Sequence, residues 1–233
     1  MGWREIPQKM VGGEHKIKDV CANCNNGPLS DLNNYAKGVL SNAGLLVDNF
    51  ENSVVTLKYE YDTLLRWLLK VSFNSARVEG SHAPLFEPLT PFILDGKPTP
   101  SRSQIILSAQ LLAPHIVTPE KRYELSPNIS IGPDGKLNPL LMRTAWAPEL
   151  ESSKTCRLRA LVIGPMVFYL MMFMNGLPIG FCAATFRSFL KREPHVKEIK
   201  RSLSLLHLRQ SSTSWLDFYA PQIMRQKQLA TDG

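Results

Sequence analysis

The chain has 233 residues, 44% hydrophobic and 20% charged, a balance that excludes wholesale disorder and supplies a core without disulfides. Lys and Arg number 27 against 20 Asp and Glu, a formal charge of +7 that favours acidic partners such as nucleic acid without requiring one. Four cysteines are too few for a disulfide scaffold, and the start MGWREIPQKM has no apolar signal segment, so the expected setting is reducing, intracellular and cytoplasmic.

In chain order, Gly12-Gly13 marks a turn and His15 to Val20 a short strand leading into Cys21-Ala-Asn-Cys24. After Pro28 the period becomes helical, with Leu29, Leu32, Ala36, Val39 and Leu40 on one stripe, Ser30 as the expected cap and Asn42 to Gly44 as the stop. A second helix is expected over Tyr59 to Ala76, where Leu64, Leu65, Leu68, Val71 and Phe73 make the stripe and Trp67 flanks it. Asp62 or Thr63 suits its start, and Arg66, Lys70 and Arg77 share a face that reads as solvated. Five prolines between Gly80 and Pro100 point to a loop or linker.

Beyond it the chain turns β-like. Ser103 to Leu112, Ile129 to Ile131, Arg157 to Ile163 and Met166 to Met174 read as strands, and Pro133-Asp134-Gly135 as a turn. Leu161 to Ala184 is a run of 24 uncharged residues, long enough to span a bilayer as a helix. Pro165, Asn175-Gly176 and Pro178 interrupt it, so a buried β-hairpin turning at Asn175-Gly176 is expected instead. Thr185 to Gln210 reverts to helical composition. The fold expected is α+β, with a helical unit over 1–80, a linker over 81–102 and a β-rich domain with a basic helical tail over 103–233.

Cys21 and Cys24 supply two thiols, whereas a structural zinc site takes four ligands, and the nearest further candidate is His15. In a thioredoxin-like redox pair the cysteines open a helix after a strand, and here Pro28 stands between the pair and the helix. The wider context is more specific. Ile17-Lys-Asp-Val-Cys21, Cys24-Asn-Asn-Gly27, Leu29-Ser-Asp-Leu32 and Tyr35 together resemble the second half of an HNH-type endonuclease domain. In that family a strand enters a C-x-x-C-N/H knuckle and a helix follows. The resemblance extends over roughly residues 11–78, including the second helix.

The resemblance implies a partial HNH or treble-clef-like knuckle, a divalent metal (Mg or Mn) for catalysis, and an incomplete structural zinc site at Cys21 and Cys24. The candidate catalytic residues are His15, from Glu14-His15, and Asn25, at the family's His or Asn position. The family's general base stands on an earlier strand beside a first CxxC pair, and only 20 residues precede Cys21, so His15 also reads as an ordinary strand residue. Asn25 also reads as a loop former in Asn-Asn-Gly. Either an upstream half is missing or the member is degenerate.

Other features carry less chemistry. His82 and His115 have no ligand-spaced neighbour, and Cys156 and Cys182 read as core thiols. The tail from Thr185 to Gln210 has seven cations and two anions, so 7 − 2 leaves +5 of the chain's +7. Arg187, Lys191, Arg192, Lys197, Lys200 and Arg201 are its candidate nucleic-acid contacts, while Phe186 and Phe189 suit base stacking or a helix core. Two functions are expected: an HNH-type endonuclease acting on DNA with impaired catalysis, or a non-catalytic nucleic-acid- or protein-binding module of that descent. No membrane partner is expected.

Overall fold

Three segments carry large apolar residues at both odd and even positions, and each forms a strand buried on both faces. They are β4 (Ile105–Ala113), β8 (Cys156–Ile163) and β9 (Met166–Phe173). The computed structural model describes residues 2–5, 8–11, 20–80, 82–119, 131–132, 134–146, 155–174 and 176–218, with the backbone alone for 2–11. The other elements are β1 (Gly2–Glu5), β2 (Gln8–Val11), α1 (Ala22–Asn26), α2 (Pro28–Asn42), β3 (Val54–Lys58), α3 (Tyr61–Glu79) and α4 (Thr90–Asp95). After β4 come β5 (His115–Ile116), β6 (Lys136–Leu137), β7 (Met142–Trp146), α5 (Ile179–Arg192), β10 (Lys197–Glu198) and β11 (Leu205–Ser214).

The main sheet has seven strands in the order β3-β11-β4-β9-β8-β7, with β10 beside β4. All its pairings are antiparallel except β11 with β4, which is parallel. Cys156 to Ile163 pairs with Phe173 to Met166 around a turn at Gly164-Pro165. The hairpin expected to turn at Asn175-Gly176 does not form; the long uncharged run supplies the second arm of a hairpin that turns at Gly164-Pro165 and whose first arm starts ahead of the run at Cys156. The later part of the run is helix α5, with Pro178 as cap. No helix among the described residues is long and apolar enough to cross a membrane.

Strand pleating divides the apolar residues between two layers. Leu107, Ala109, Leu161, Phe168 and Leu170 face α2, α3 and α4 in one core, whereas Val162, Val167, Tyr169 and Met171 face α5 in the other. Phe186 and Phe189 point into the second core, which settles them as packing residues.

The division at residues 80 and 102 is not a physical boundary. β3 pairs with β11 from Val54↔Arg209 to Lys58↔Leu205, and one core holds residues from Leu29 to Leu208. The proline-rich stretch folds into two 3-10 turns and α4, whose Phe86, Phe92 and Ile93 enter that core. Prolines at the start of each turn and of α4 lie where their missing N–H costs nothing. The expected tail helix also breaks: it ends at Arg192, and the chain continues through β10 into β11. Ile129 and Ser130 of the expected Ile129-to-Ile131 strand lie outside the described residues; Asp134-Gly135 forms the turn before β6 as expected.

Helix starts also differ from expectation. α2 begins at Pro28, and Gly27, not Ser30, occupies the capping position. At α3, Glu60 precedes both expected caps. Its carboxylate accepts from Asp62 N at 3.2 Å and Thr63 N at 2.6 Å. Partial burial opposes ionisation of Glu60, but the bonds from Thr63 and Asp62 outweigh it and hold the carboxyl below its usual range. A depressed carboxyl pKa contributes stability above its unfolded value and loses it as pH falls through the folded value. Glu60→Ala should therefore cost about 1 kcal/mol in urea denaturation at neutral pH. The gap from wild type should narrow toward about pH 3, below the carboxylate range. An equal gap at both pH values would assign the loss to packing instead of charge.

Candidate functional site

The Cys21 to Gly27 segment is a single short turn of helix followed at once by α2. Cys21 is extended and precedes Ala22–Asn26; Cys24 N donates to Cys21 Sγ at 3.3 Å, and Asn25 N to Cys21 O at 3.0 Å. Cys21 is exposed and Cys24 half-buried. The pair thus opens a helix of its own, and Pro28 starts the next one instead of interrupting. Gly27 is required at the junction, because a Cβ there would lie 2.9 Å from Asn23 O. Gly27 N donates to Asn23 O while Gly27 O accepts from Ser30 N and Asp31 N, so this one residue closes the first helix and opens the second.

Each thiol perturbs the other. Hydrogen bonding from the Cys24 thiol and then its N–H lowers the Cys21 pKa; the same bond, with some desolvation, raises that of Cys24. Both cysteines line a pocket of about 320 Å³ with Leu29, Phe73, Ile93, Lys70, Asn74 and Arg77. The cations of α3 are therefore not a solvated face. Arg66 donates to Ile93 O at 3.1 Å and Leu94 O at 2.6 Å, latching α4. Lys70 Nζ donates to Leu29 O and Asn33 Oδ1, each at 2.8 Å, latching α2, and desolvation lowers its pKa. The Arg77 guanidinium lies 5.3 Å from the Phe73 ring centroid.

Several residues that carry the HNH resemblance do structural work. Leu29 and Leu32 are buried, and the Tyr35 hydroxyl donates to Glu60 O while accepting from Glu60 N, joining α2 to the start of α3. Asn25 is exposed on α1. His15 lies outside the described residues, as does Glu14. Among the described residues, no three His, Cys, Asp or Glu side chains come together as a metal site. Two thiols cannot close a tetrahedral zinc site, and thiols are poor partners for Mg or Mn. The described donors fit neither the zinc nor the catalytic cation of the family.

The six tail cations do not form one helix side. Arg187, Lys191 and Arg192 are exposed on α5, the last two in its final turn, where cations oppose the helix dipole favourably. Lys197 belongs to β10 and donates to His207 O at 2.9 Å. Arg201 pairs with Asp62 at 2.9 Å and stands 4.9 Å from the Tyr61 ring. Lys200 and Arg201 line a cleft of about 500 Å³ with Tyr61, Arg102 and Glu198, and Arg102 holds both oxygens of Glu198 at 3.0 Å.

Sequence reasoning missed a buried polar cluster. Arg159 of β8 is fully buried and faces α3. Its Nη2 donates to Ser75 Oγ at 2.7 Å and Thr144 Oγ1 at 2.9 Å, and its guanidinium lies 4.6 Å from the Trp146 ring. His82 meets the same ring edge-on at 4.8 Å, with a left-handed φ of 61°. The only signal in the sequence was an arginine at a core-facing parity within CRLRALVI. His115, given no ligand role, stands in β5, and Cys156 and Cys182 are buried as expected.

Thr144→Val should cost about 1–3 kcal/mol in denaturant melts, because it removes an acceptor from a buried charged donor; a loss below that range would show that the acceptor is replaced. The purified chain should carry well under one zinc per chain by elemental analysis; stoichiometric zinc lost in Cys24→Ser would require additional ligands. Comparison of the chain with protein-family models, with curated proteins and with solved structures found no match.

Proposed function

We propose that this chain is a non-catalytic nucleic-acid-binding module of HNH-type descent, with the pocket beside Cys21 as its phosphate contact. The observation that carries this reading is the placement of Lys70 and Arg77 on the same pocket as the Cys21-to-Asn25 turn. Lys70 uses two of its three N–H donors to hold α2, so one remains to meet a phosphate oxygen. Arg77 holds its guanidinium 5.3 Å from the Phe73 ring centroid and lines the same pocket, adding a fixed positive charge that attracts phosphate. Asn74 adds an amide to the same rim. Arg187, Lys191 and Lys200 supply long-range attraction, since steering follows summed charge.

The endonuclease reading needs a base and a metal cage. Glu14-His15, the dipeptide that favours it, is the sequence feature to test.

Duplex DNA binding followed by fluorescence anisotropy across a salt series checks the proposal. The slope of log K against log salt should lie near −2 to −3, about −0.9 for each of two to three phosphate contacts. The pair Lys70→Gln and Arg77→Gln should flatten it by about two, and Arg187→Gln, Lys191→Gln and Lys200→Gln together by no more than about one. A slope unchanged in the pocket pair overturns the proposed contact. Supercoiled plasmid with magnesium or manganese should remain uncut; cleavage lost in His15→Ala would establish the endonuclease reading.

A further inference from the structure

The two-cysteine turn joins an exposed sulfur, a shielded sulfur and a pocket, and this arrangement bears on thiol chemistry independently of nucleic-acid binding. We propose that Cys21 and Cys24 form a dithiol that closes reversibly to a disulfide by exchange with a small anionic disulfide, Cys21 attacking and Cys24 resolving. Cys21 is exposed, so an incoming S–S bond can reach it; Cys24 is half-buried behind it. The two cysteines are already joined by a hydrogen bond, Cys24 N donating to Cys21 Sγ at 3.3 Å across one turn of helix. No rearrangement of α2 is needed to bring them together. Cys156 and Cys182 are buried in the α5-side core, so they do not compete.

The pocket supplies selectivity. Its floor is apolar, from Leu29, Phe73 and Ile93, and suits the thioether-like body of a disulfide. Lys70 and Arg77 stand on its rim and suit carboxylates. The chemistry balances without a cofactor. Cys21 thiolate attacks one sulfur of RSSR; a Cys21–SR bond forms and RS⁻ leaves. Cys24, giving its proton to solvent, attacks the Cys21 sulfur, so the intramolecular bond forms and the second RS⁻ leaves. The two protein thiols are oxidised, RSSR is reduced, and the two RS⁻ take up the two protons.

The test uses the whole chain with glutathione disulfide as the anionic probe and cystamine as a cationic one. Free thiols are then alkylated and the peptides are mapped by mass spectrometry. Wild type should lose two alkylatable thiols and show a Cys21–Cys24 bond that reduced glutathione reverses. Cys24→Ser should stop at a glutathione adduct on Cys21, and Cys21→Ser should form neither product. Arg77→Gln should slow the reaction with glutathione disulfide about three- to tenfold and leave that with cystamine unslowed. Four alkylatable thiols after oxidation, an adduct mainly on Cys156 or Cys182, or equal slowing for both probes would overturn the proposal. So would protection of the pair by one equivalent of zinc, which would make it a metal site. Loss of DNA binding alone, with exchange intact, would count against the nucleic-acid reading and leave this one standing.

Discussion

Everything in this molecule follows from three adjacent strands that are apolar on both sides. β4, β9 and β8 are buried along nearly their whole length. An antiparallel sheet normally leaves one face to water. Here neither face can be left, so the chain must provide a helical layer for each. α2, α3 and α4 cover one and α5 the other. The order of elements along the chain, with helices both before and after the strands, meets that demand.

The first helical layer is held by polar latches as well as by burial. Arg66 binds two carbonyls of α4, Lys70 binds Leu29 O and the Asn33 side-chain oxygen of α2, and Tyr35 joins α2 to the start of α3. Arg66 meets carbonyls in the last turn of α4, where the final four lack an intrahelical partner, whereas Lys70 binds at the first turn of α2. The same layer carries the two cysteines, so the rigidity that positions Lys70 and Arg77 at the pocket comes from the packing that covers the sheet. Site and scaffold share side chains, and Lys70 belongs to both.

The same layer borders the Arg159 cluster, through Ser75 of α3. Burying a guanidinium is costly unless its donors are met and its charge is compensated. Ser75 and Thr144 meet Nη2, and the Trp146 face contributes its negative quadrupole. The cluster joins α3, β7 and β8 at the edge of the sheet. It fixes the register of β7, whose Trp146 stands directly across from Arg159. A one-residue slip would turn Trp146 to the opposite face.

Periodicity in the sequence determined the helices over Leu29 to Leu40 and Leu64 to Phe73 and the strands on either side of Gly164-Pro165, because those patterns reflect local geometry. It did not determine that Cys21 and Cys24 open a helix of their own, because Pro28 reads as a break between the pair and the helical stripe. The sequence did not determine that residues 81–102 fold into the core: prolines signal breaks, but the pull on Phe86, Phe92 and Ile93 comes from a surface built by distant strands. Nor did it determine that the basic tail crosses from helix to strand. Lys197 and Glu198 become β only because β4 offers an open edge at Ser108 and Ala109. The pocket and the Arg159 cluster lay wholly beyond sequence reading. Lys70 and Arg77 are 49 and 56 positions from Cys21, and Ser75 is 84 from Arg159, and only burial of a two-faced sheet brings them together.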